Sequence, residues 1–249
     1  MLNILWRNLR WRLQNPVSII VTILQPLLWL VLYSAVANQT MNLVGINNYT
    51  AFVLPGIIVL VTFSSCSSSG IINYLNKKSG SFYRILISPV SRKCIILGQT
   101  LEAMLLSFFE IGILFVVSLF FSVRLHCGID VVLVSFVLIV LTSFFVSNLA
   151  YSISLILPNE VIYETVMNAI VLPVFFVSTA LVPEEGLHGK LQILVKINPF
   201  THVINSLRSA ILYGKVRSNE AIMSILLMMI LCIIVFAISN YRLKLETRS

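Results

Sequence analysis

The chain has 249 residues, 58% of them hydrophobic and only 10% charged, with a net charge of +8 at pH 7. Soluble domains carry about 25% charged residues, so this composition excludes a water-facing globular protein. It gives no support to a nucleic-acid-binding domain either, because the basic residues collect at the edges of apolar runs rather than on one folded face. A spanning helix takes about 20 mostly apolar residues, and the length accommodates about six of them with short connections.

Residues 2–14 form an amphipathic lead-in. At a helical period Leu2, Leu5, Trp6, Leu9 and Leu13 share one face, while Asn3, Arg7, Arg10 and Gln14 gather on another. This is the pattern of a helix lying in the headgroup plane with its arginines toward phosphate, and Leu5, Trp6, Arg7, Leu9 and Arg10 are its marker residues. Pro16 lets the chain turn into the bilayer, and Val17–Ala37 is the first expected span. Its basic lead-in and its Ala35-Val36-Ala37 end also resemble a secretory signal peptide. The full spanning length and the long amphipathic start favour a retained helix. Residues 38–48 contain no Lys or Arg and are expected outside.

Tyr49–Asn76 is the second expected span. Its inner half reads Ser64-Ser65-Cys66-Ser67-Ser68-Ser69-Gly70, small and polar for a lipid environment. Such a stretch suits close helix packing or a polar wall along a substrate path, and the two readings are compatible. Five of the seventeen basic residues then fall in the loop 77–93, KKSGSFYRILISPVSRK, which fixes this side as cytoplasmic. Within it Phe82, Ile85 and Leu86 share a helical face and Arg84 points away. The segment is either a basic loop with one buried turn or a short lever through which a partner moves the membrane helices.

Cys94–Val123 and Asp130–Leu157 are the third and fourth expected spans. The third carries Glu102 and Glu110, and an intramembrane carboxylate is a functional candidate. Glu102 is expected to reach the interface or to pair with Arg92 or Lys93, whereas Glu110 lies deeper. Val161–Val182 is the fifth span, kinked at Pro173. Region 183–219 would lie outside by span counting, yet it holds Lys190, Lys196, Arg208, Lys215 and Arg217. Two short helices broken at Asn198-Pro199, dipping into the outer leaflet with basic ends snorkelling outward, would reconcile this. The first would turn Leu187, Leu191, Leu194 and Val195 to one face, and the second Val203, Leu207 and Leu212. His188 and His202 are expected at the interface. Ala221–Tyr241 is the last span, followed by Arg242, Lys244 and Arg248. The four cysteines show no CxxC pairing and suggest neither a metal site nor a disulfide.

Taken together the chain is expected to be an all-α integral membrane protein: six transmembrane helices, an N-terminal interfacial helix and short re-entrant helices before the last span. The whole of 1–249 reads as one transmembrane domain. Leu54-Pro55-Gly56 early in the second span, Arg84-Ile85-Leu86-Ile87-Ser88-Pro89-Val90-Ser91-Arg92 in the loop, and Asn198-Pro199-Phe200-Thr201 followed by Arg208 stand in this order after the amphipathic start. In these features the chain resembles the permeases of the ABC-2-type exporter family, in the branch that exports drugs and lipid-linked saccharides. Its loop departs from the family habit in having no acidic residue ahead of the basic turn.

The resemblance implies a half-transporter in which two permeases, identical or paralogous, work with two ABC ATPase subunits. ATP and Mg would be held by the ATPase and no cofactor by this chain, which has no GxxxxGK[ST] phosphate loop. Ser81, Phe82, Tyr83, Arg84, Ile85 and Leu86 would correspond to the family's coupling helix. A path along the seam between permeases would make Gln25, Ser64, Ser68, Asn168 and Ser178 candidate lining residues. Asn198, Pro199, Thr201 and Arg208 would form the re-entrant motif. The implied setting is a bacterial inner membrane with both termini cytoplasmic. Two other classes compete: an ion-coupled secondary transporter working alone, centred on Glu110, and a lipid-modifying membrane enzyme. The scattered Glu110, His188 and His202 offer such an enzyme little.

Overall fold

In a computed structural model, the structure describes residues 5, 6, 10, 14, 17, 20, 24–32, 35, 49–87, 90–121, 123, 128–183, 189–214 and 216–246. The readings that fall on Leu2, Arg7, Leu9, Leu13, Ser88, Pro89, Cys127, His188 and Lys215 therefore lie outside the described residues. The described secondary structure is entirely helical: α1 (Tyr49–Lys78), α2 (Ser81–Leu86), α3 (Arg92–Phe120), α4 (Ile129–Ile156), α5 (Glu160–Phe176), α6 (Lys190–Ile197), α7 (Pro199–Tyr213) and α8 (Ser218–Glu246). Residues 24–32 are also helical, as are Leu5, Trp6 and Arg10.

Four helices, α1, α3, α4 and α8, are long and apolar enough to cross a membrane, and their bounds follow the expected second, third, fourth and last spans. With its 30 residues, α1 is about 45 Å long, more than the ~30 Å hydrocarbon core. Its ends therefore reach past the core. The expected fifth span is different. α5 ends at Phe176, and 177–182 are turns rather than helix. Pro173 supplies no amide to the ladder, and the carbonyls of Val174 and Val177 are taken by the Asn198 side chain instead.

α4 is the central helix, packed most extensively against α1 and α8 and also against α3. α7 wedges into this group against α1, α4 and α8, whereas α5 packs mainly on α1 and α4. The apolar core runs through Leu54, Ile57, Ile58, Leu138, Val146, Val203, Ile204, Leu207 and Met228. Lipid tails are as apolar as these side chains, so close van der Waals fit and interhelical hydrogen bonds must hold the helices together. The serine-rich half of α1 meets that need. Ser65 and Ser69 are buried, Tyr163 of α5 donates to the Ser67 carbonyl at 2.6 Å, and Gln99 of α3 donates to the Ser69 carbonyl at 3.5 Å. One turn further in, Asn73 donates to Ser154 of α4 at 2.9 Å. α4 and α8 are joined by a 2.6 Å contact between Ser152 and Ser239. The stretch is a packing seam, with Ser64 and Ser68 left half-buried at its side.

α6 and α7 meet at Asn198-Pro199, as the sequence predicts, with Pro199 in the first turn of α7 and the Asn198 side chain accepting from the Phe200 amide. The expected faces hold for α7, where Val203 and Leu207 are buried, but not for α6. Only Val195 of α6 is buried, and Leu191, Leu194 and Ile197 are exposed. α7 fills the space in the bundle, and α6 lies outside it.

Candidate functional site

Two places gather the residues singled out by the motifs, one at each end of the bundle. At the predicted outer end they converge on the turn after α5. Arg208 of α7 is buried and holds three groups: its Nε donates to the Phe52 carbonyl at 3.0 Å, its Nη2 to the Thr179 carbonyl at 2.5 Å, and its Nη1 to Asn205 Oδ1 at 3.2 Å. The guanidinium also lies 3.7 Å from the centre of the Phe52 ring, a favourable cation–π stack. Asn205 Oδ1 in turn accepts from the Thr179 hydroxyl at 2.7 Å.

Three other groups hold the same turn. Tyr49 donates its hydroxyl to the Leu181 carbonyl at 2.8 Å. Asn198 Nδ2 donates to the carbonyls of Val174 and Val177 at 2.7 and 2.6 Å. Gly56 lies so close that a Cβ there would come within 2.7 Å of the Ala180 Cβ, so only glycine admits this approach. Ser178 is buried here, its hydroxyl donating to the Phe175 carbonyl at 2.5 Å and accepting from the Ala180 amide at 3.2 Å. Thr201 is buried one helical turn from Asn198. Leu54-Pro55-Gly56 and Asn198-Pro199-Phe200-Thr201 with Arg208, far apart in sequence, thus close on one irregular segment. The sequence announces the motifs but not their shared target, because Thr179, Ala180 and Leu181 are ordinary residues recognised through backbone atoms.

At the predicted inner end, α2 follows α1 through Gly80, whose φ of 71° is the left-handed conformation that favours glycine. Phe82 is 3% exposed and packs with Ile95 and Ile96 at the start of α3, Tyr151 and Leu155 at the end of α4, and Leu243 at the end of α8. Ile85 and Leu86 are partly buried against the same cluster. Ser81 is half-buried, Tyr83 and Arg84 are exposed, and Ile87, just past the helix, is 85% exposed. The predicted amphipathic face is present, and it is turned onto the protein's own helix ends. Two ion pairs flank it. Lys77 meets Glu246 of α8 at 2.8 Å and stacks 5.2 Å from the Phe82 ring, and Lys78 meets Glu160 of α5 at 2.6 Å. The sequence suggests neither pair, since each joins residues more than eighty positions apart.

The remaining candidates are dispersed. Gln25 and Asn168 are exposed. Glu110 is buried on α3, at a crevice lined with Pro26, Leu27, Val61 and Leu114. Glu102 is fully buried, which corrects the expectation that it reaches the interface or pairs with the exposed Arg92 and Lys93. It lies one helical turn from Gln99, whose side chain donates to the Ser69 carbonyl of α1. His202 is half-buried, with Nε2 2.9 Å from the Lys196 carbonyl oxygen. Leu5 is half-buried, and Trp6 and Arg10 are exposed. Among the described residues no His, Cys, Asp and Glu group has a metal-binding arrangement.

A chain whose described residues form only helices, four of them fit to cross a bilayer and packed through a serine seam, is an integral membrane protein. Residues 1–212 match the family described as ABC-2 type transporter, and the chain belongs to that family. It is similar to proteins named "Putative transport permease ycf38" in three organisms. It is 29% identical to that of Cyanophora paradoxa over 198 residues, covering 78% of this chain and 68% of the relative. The match to that of Porphyra purpurea is 30% over 201 residues, covering 80% and 68%. That of Pyropia yezoensis is 30% identical over 212 residues, covering 84% and 71%.

Proposed function

We propose that this membrane-embedded transport permease is one half of an ATP-driven exporter, powered by a separate ABC ATPase that holds ATP and Mg. The carrying observation is the seat of α2: a short helix anchored by Phe82 on the inner ends of α3, α4 and α8, with its opposite face directed away from the bundle. A push on such a helix reaches three membrane helices at once. ATP binding on the partner would bias two pre-existing arrangements of the spans, and an amphipathic or lipid-linked molecule, drug-like or saccharide-bearing, would pass along the seam with a second permease.

In this reading residues 17–37 and 161–182 supply the first and fifth of six spans, and both termini lie on the ATPase side. α6 lies in the outer leaflet as a re-entrant arm. α5 supports a seam between permeases, because its buried residues are Tyr163, Met167, Val171 and Phe175 and it leaves Thr165, Asn168, Leu172 and Phe176 exposed. Gln25 and Asn168 remain candidates for the path, with Ser64 and Ser68 behind them, while Ser178 works in the turn it stabilises. Residues 2–14 lie in the headgroup plane.

The test is purification in mild detergent with mass spectrometry, and transport in inverted membrane vesicles with and without Mg-ATP. Co-purification of a phosphate-loop ATPase and nucleotide-dependent uptake are expected. A stable protein that transports with no ATPase attached and no need for ATP would overturn this reading. It would favour ion-coupled transport instead, for which the buried Glu102 and Glu110 are the supporting observation and Glu110→Gln the first variant.

A further inference from the structure

We infer that the partner surface that receives α2 is an acid-lined recess with an apolar floor, and that Tyr83, Arg84 and Ile87, flanked by Arg92 and Lys93, are the residues that enter it. The inference rests on the ATP-driven reading above and goes further, because it names the docking face and the chemistry of what it meets.

The direction of that face follows from the anchor. Phe82 is held by residues from the inner ends of α3, α4 and α8, so it points back into the bundle. At 100° per residue, Arg84 and Ile87 fall on the opposite side of the helix from Phe82, with Tyr83 beside them. They therefore face away from the cluster that holds Phe82. Their exposure agrees: Tyr83 is 57% and Ile87 85% exposed, and Arg84 is exposed. An isoleucine left this open, just past a helix whose Phe82 is buried and whose Ile85 and Leu86 are partly covered, is suited to burial against a partner.

The charge of the recess follows from what surrounds the face. Residues 77–93 contain five basic residues and no acid. Two acids that reach this loop are engaged, Glu246 with Lys77 and Glu160 with Lys78. Arg84, Arg92 and Lys93 are exposed and make no ion pair among the described residues. Three uncompensated cations around one exposed isoleucine complement an acidic rim about an apolar floor, and such complementarity governs encounter rate and partner choice.

The test is photocrosslinking in intact membranes, with benzoylphenylalanine at position 87 and, as a control at an exposed site on the far end of α7, at position 213, combined with Arg84→Glu and Ile87→Asp. Both substitutions are at exposed positions, so a single symmetrical size-exclusion peak is expected to show an intact fold. The expected result is an adduct from 87, absent from 213, on an ATPase peptide flanked by Asp or Glu. Arg84→Glu should then lower the co-purifying ATPase about tenfold, and replacing the crosslinked acid of the ATPase by Arg should restore it. Adducts from 87 to lipid alone would overturn the inference and assign the basic rim to anionic headgroups. Undiminished ATPase with both Arg84→Glu and Ile87→Asp would overturn it while leaving the ATP-driven reading standing. No ATPase by either crosslinking or purification would overturn both.

Discussion

The two ends of this permease are held by different physics. At the outer end, the turn at 177–181 is fixed by directional hydrogen bonds from Arg208, Asn198 and Tyr49 to backbone carbonyls, with Gly56 pressed against Ala180. At the inner end, α2 is fixed by one aromatic anchor and a few partly covered aliphatic side chains, with ion pairs at its flank. Hydrogen bonds to buried backbone have one good geometry and are costly to break, whereas an apolar contact tolerates sliding and rotation. As the proposed lever, α2 would have to move with its partner, whereas a turn that closes the bundle would not. The difference fits an inner end that transmits motion and an outer end that resists it.

Arg208→Ala strikes the rigid end and should have the largest effect. It removes a charge-assisted set of bonds and leaves the carbonyls of Phe52 and Thr179 without that donor, so about 3–5 kcal/mol of stability should be lost. Thermal unfolding in detergent would measure this. Arg208→Lys should rescue little, since an ammonium cannot reproduce the planar fork or the stack on Phe52. A lysine variant as stable as the parent would remove the distinction between the two ends.

Phe82→Ala strikes the deformable end. Losing this ring from its cluster should cost about 3 kcal/mol, felt as local opening rather than global collapse. Amide exchange in residues 81–87 should accelerate while the turn at 177–181 stays protected. Equal acceleration at both places would show that the ends are one cooperative unit. Gly56→Ala should cost less, about 1–2 kcal/mol, because its Cβ meets Ala180 at 2.7 Å and either α1 or the turn must shift. The same change should leave exchange in 81–87 unaltered.

Much of this organisation is legible in the amino-acid order. The long spans, the break at Asn198-Pro199, the amphipathic face of α2 and the burial of Val203 and Leu207 follow from apolar runs and helical periodicity, which are local signals. What periodicity does not carry is which backbone a polar side chain reaches. Nothing in the sequence marks Thr179 and Leu181 as the acceptors for Arg208 and Tyr49, because every residue has a carbonyl. The end of α5 is hard to read for a related reason: its apolar run continues to Val182, but the helix stops at Phe176, after Pro173 and where the Asn198 side chain takes the carbonyls of Val174 and Val177. Glu102 illustrates the opposite error. Proximity along the chain suggests Arg92 and Lys93 as partners, yet Glu102 is fully buried while both of them are exposed.

The smallest expected effects belong to the two ion pairs, and they resolve the inner end most finely. Lys78 and Glu160 have side chains 64% and 34% exposed. Solvent screens such a pair, so Lys78→Ala should change stability by about 0.5 kcal/mol or less. Lys77 and Glu246 are 21% and 26% exposed, and Lys77 also stacks on the Phe82 ring. Less screening and a cation–π contact should raise the effect of Lys77→Ala to about 1 kcal/mol. A double-mutant cycle on Lys77 and Glu246, repeated with Phe82→Leu, separates the two contributions. If the ion pair dominates, the coupling falls at high salt and is unchanged by Phe82→Leu. If the ring positions the ammonium, the coupling shrinks when the ring is lost. The second outcome would make Lys77 the link by which α1 and α8 follow the lever, since the same ammonium would then report on the position of Phe82 and hold the end of α8.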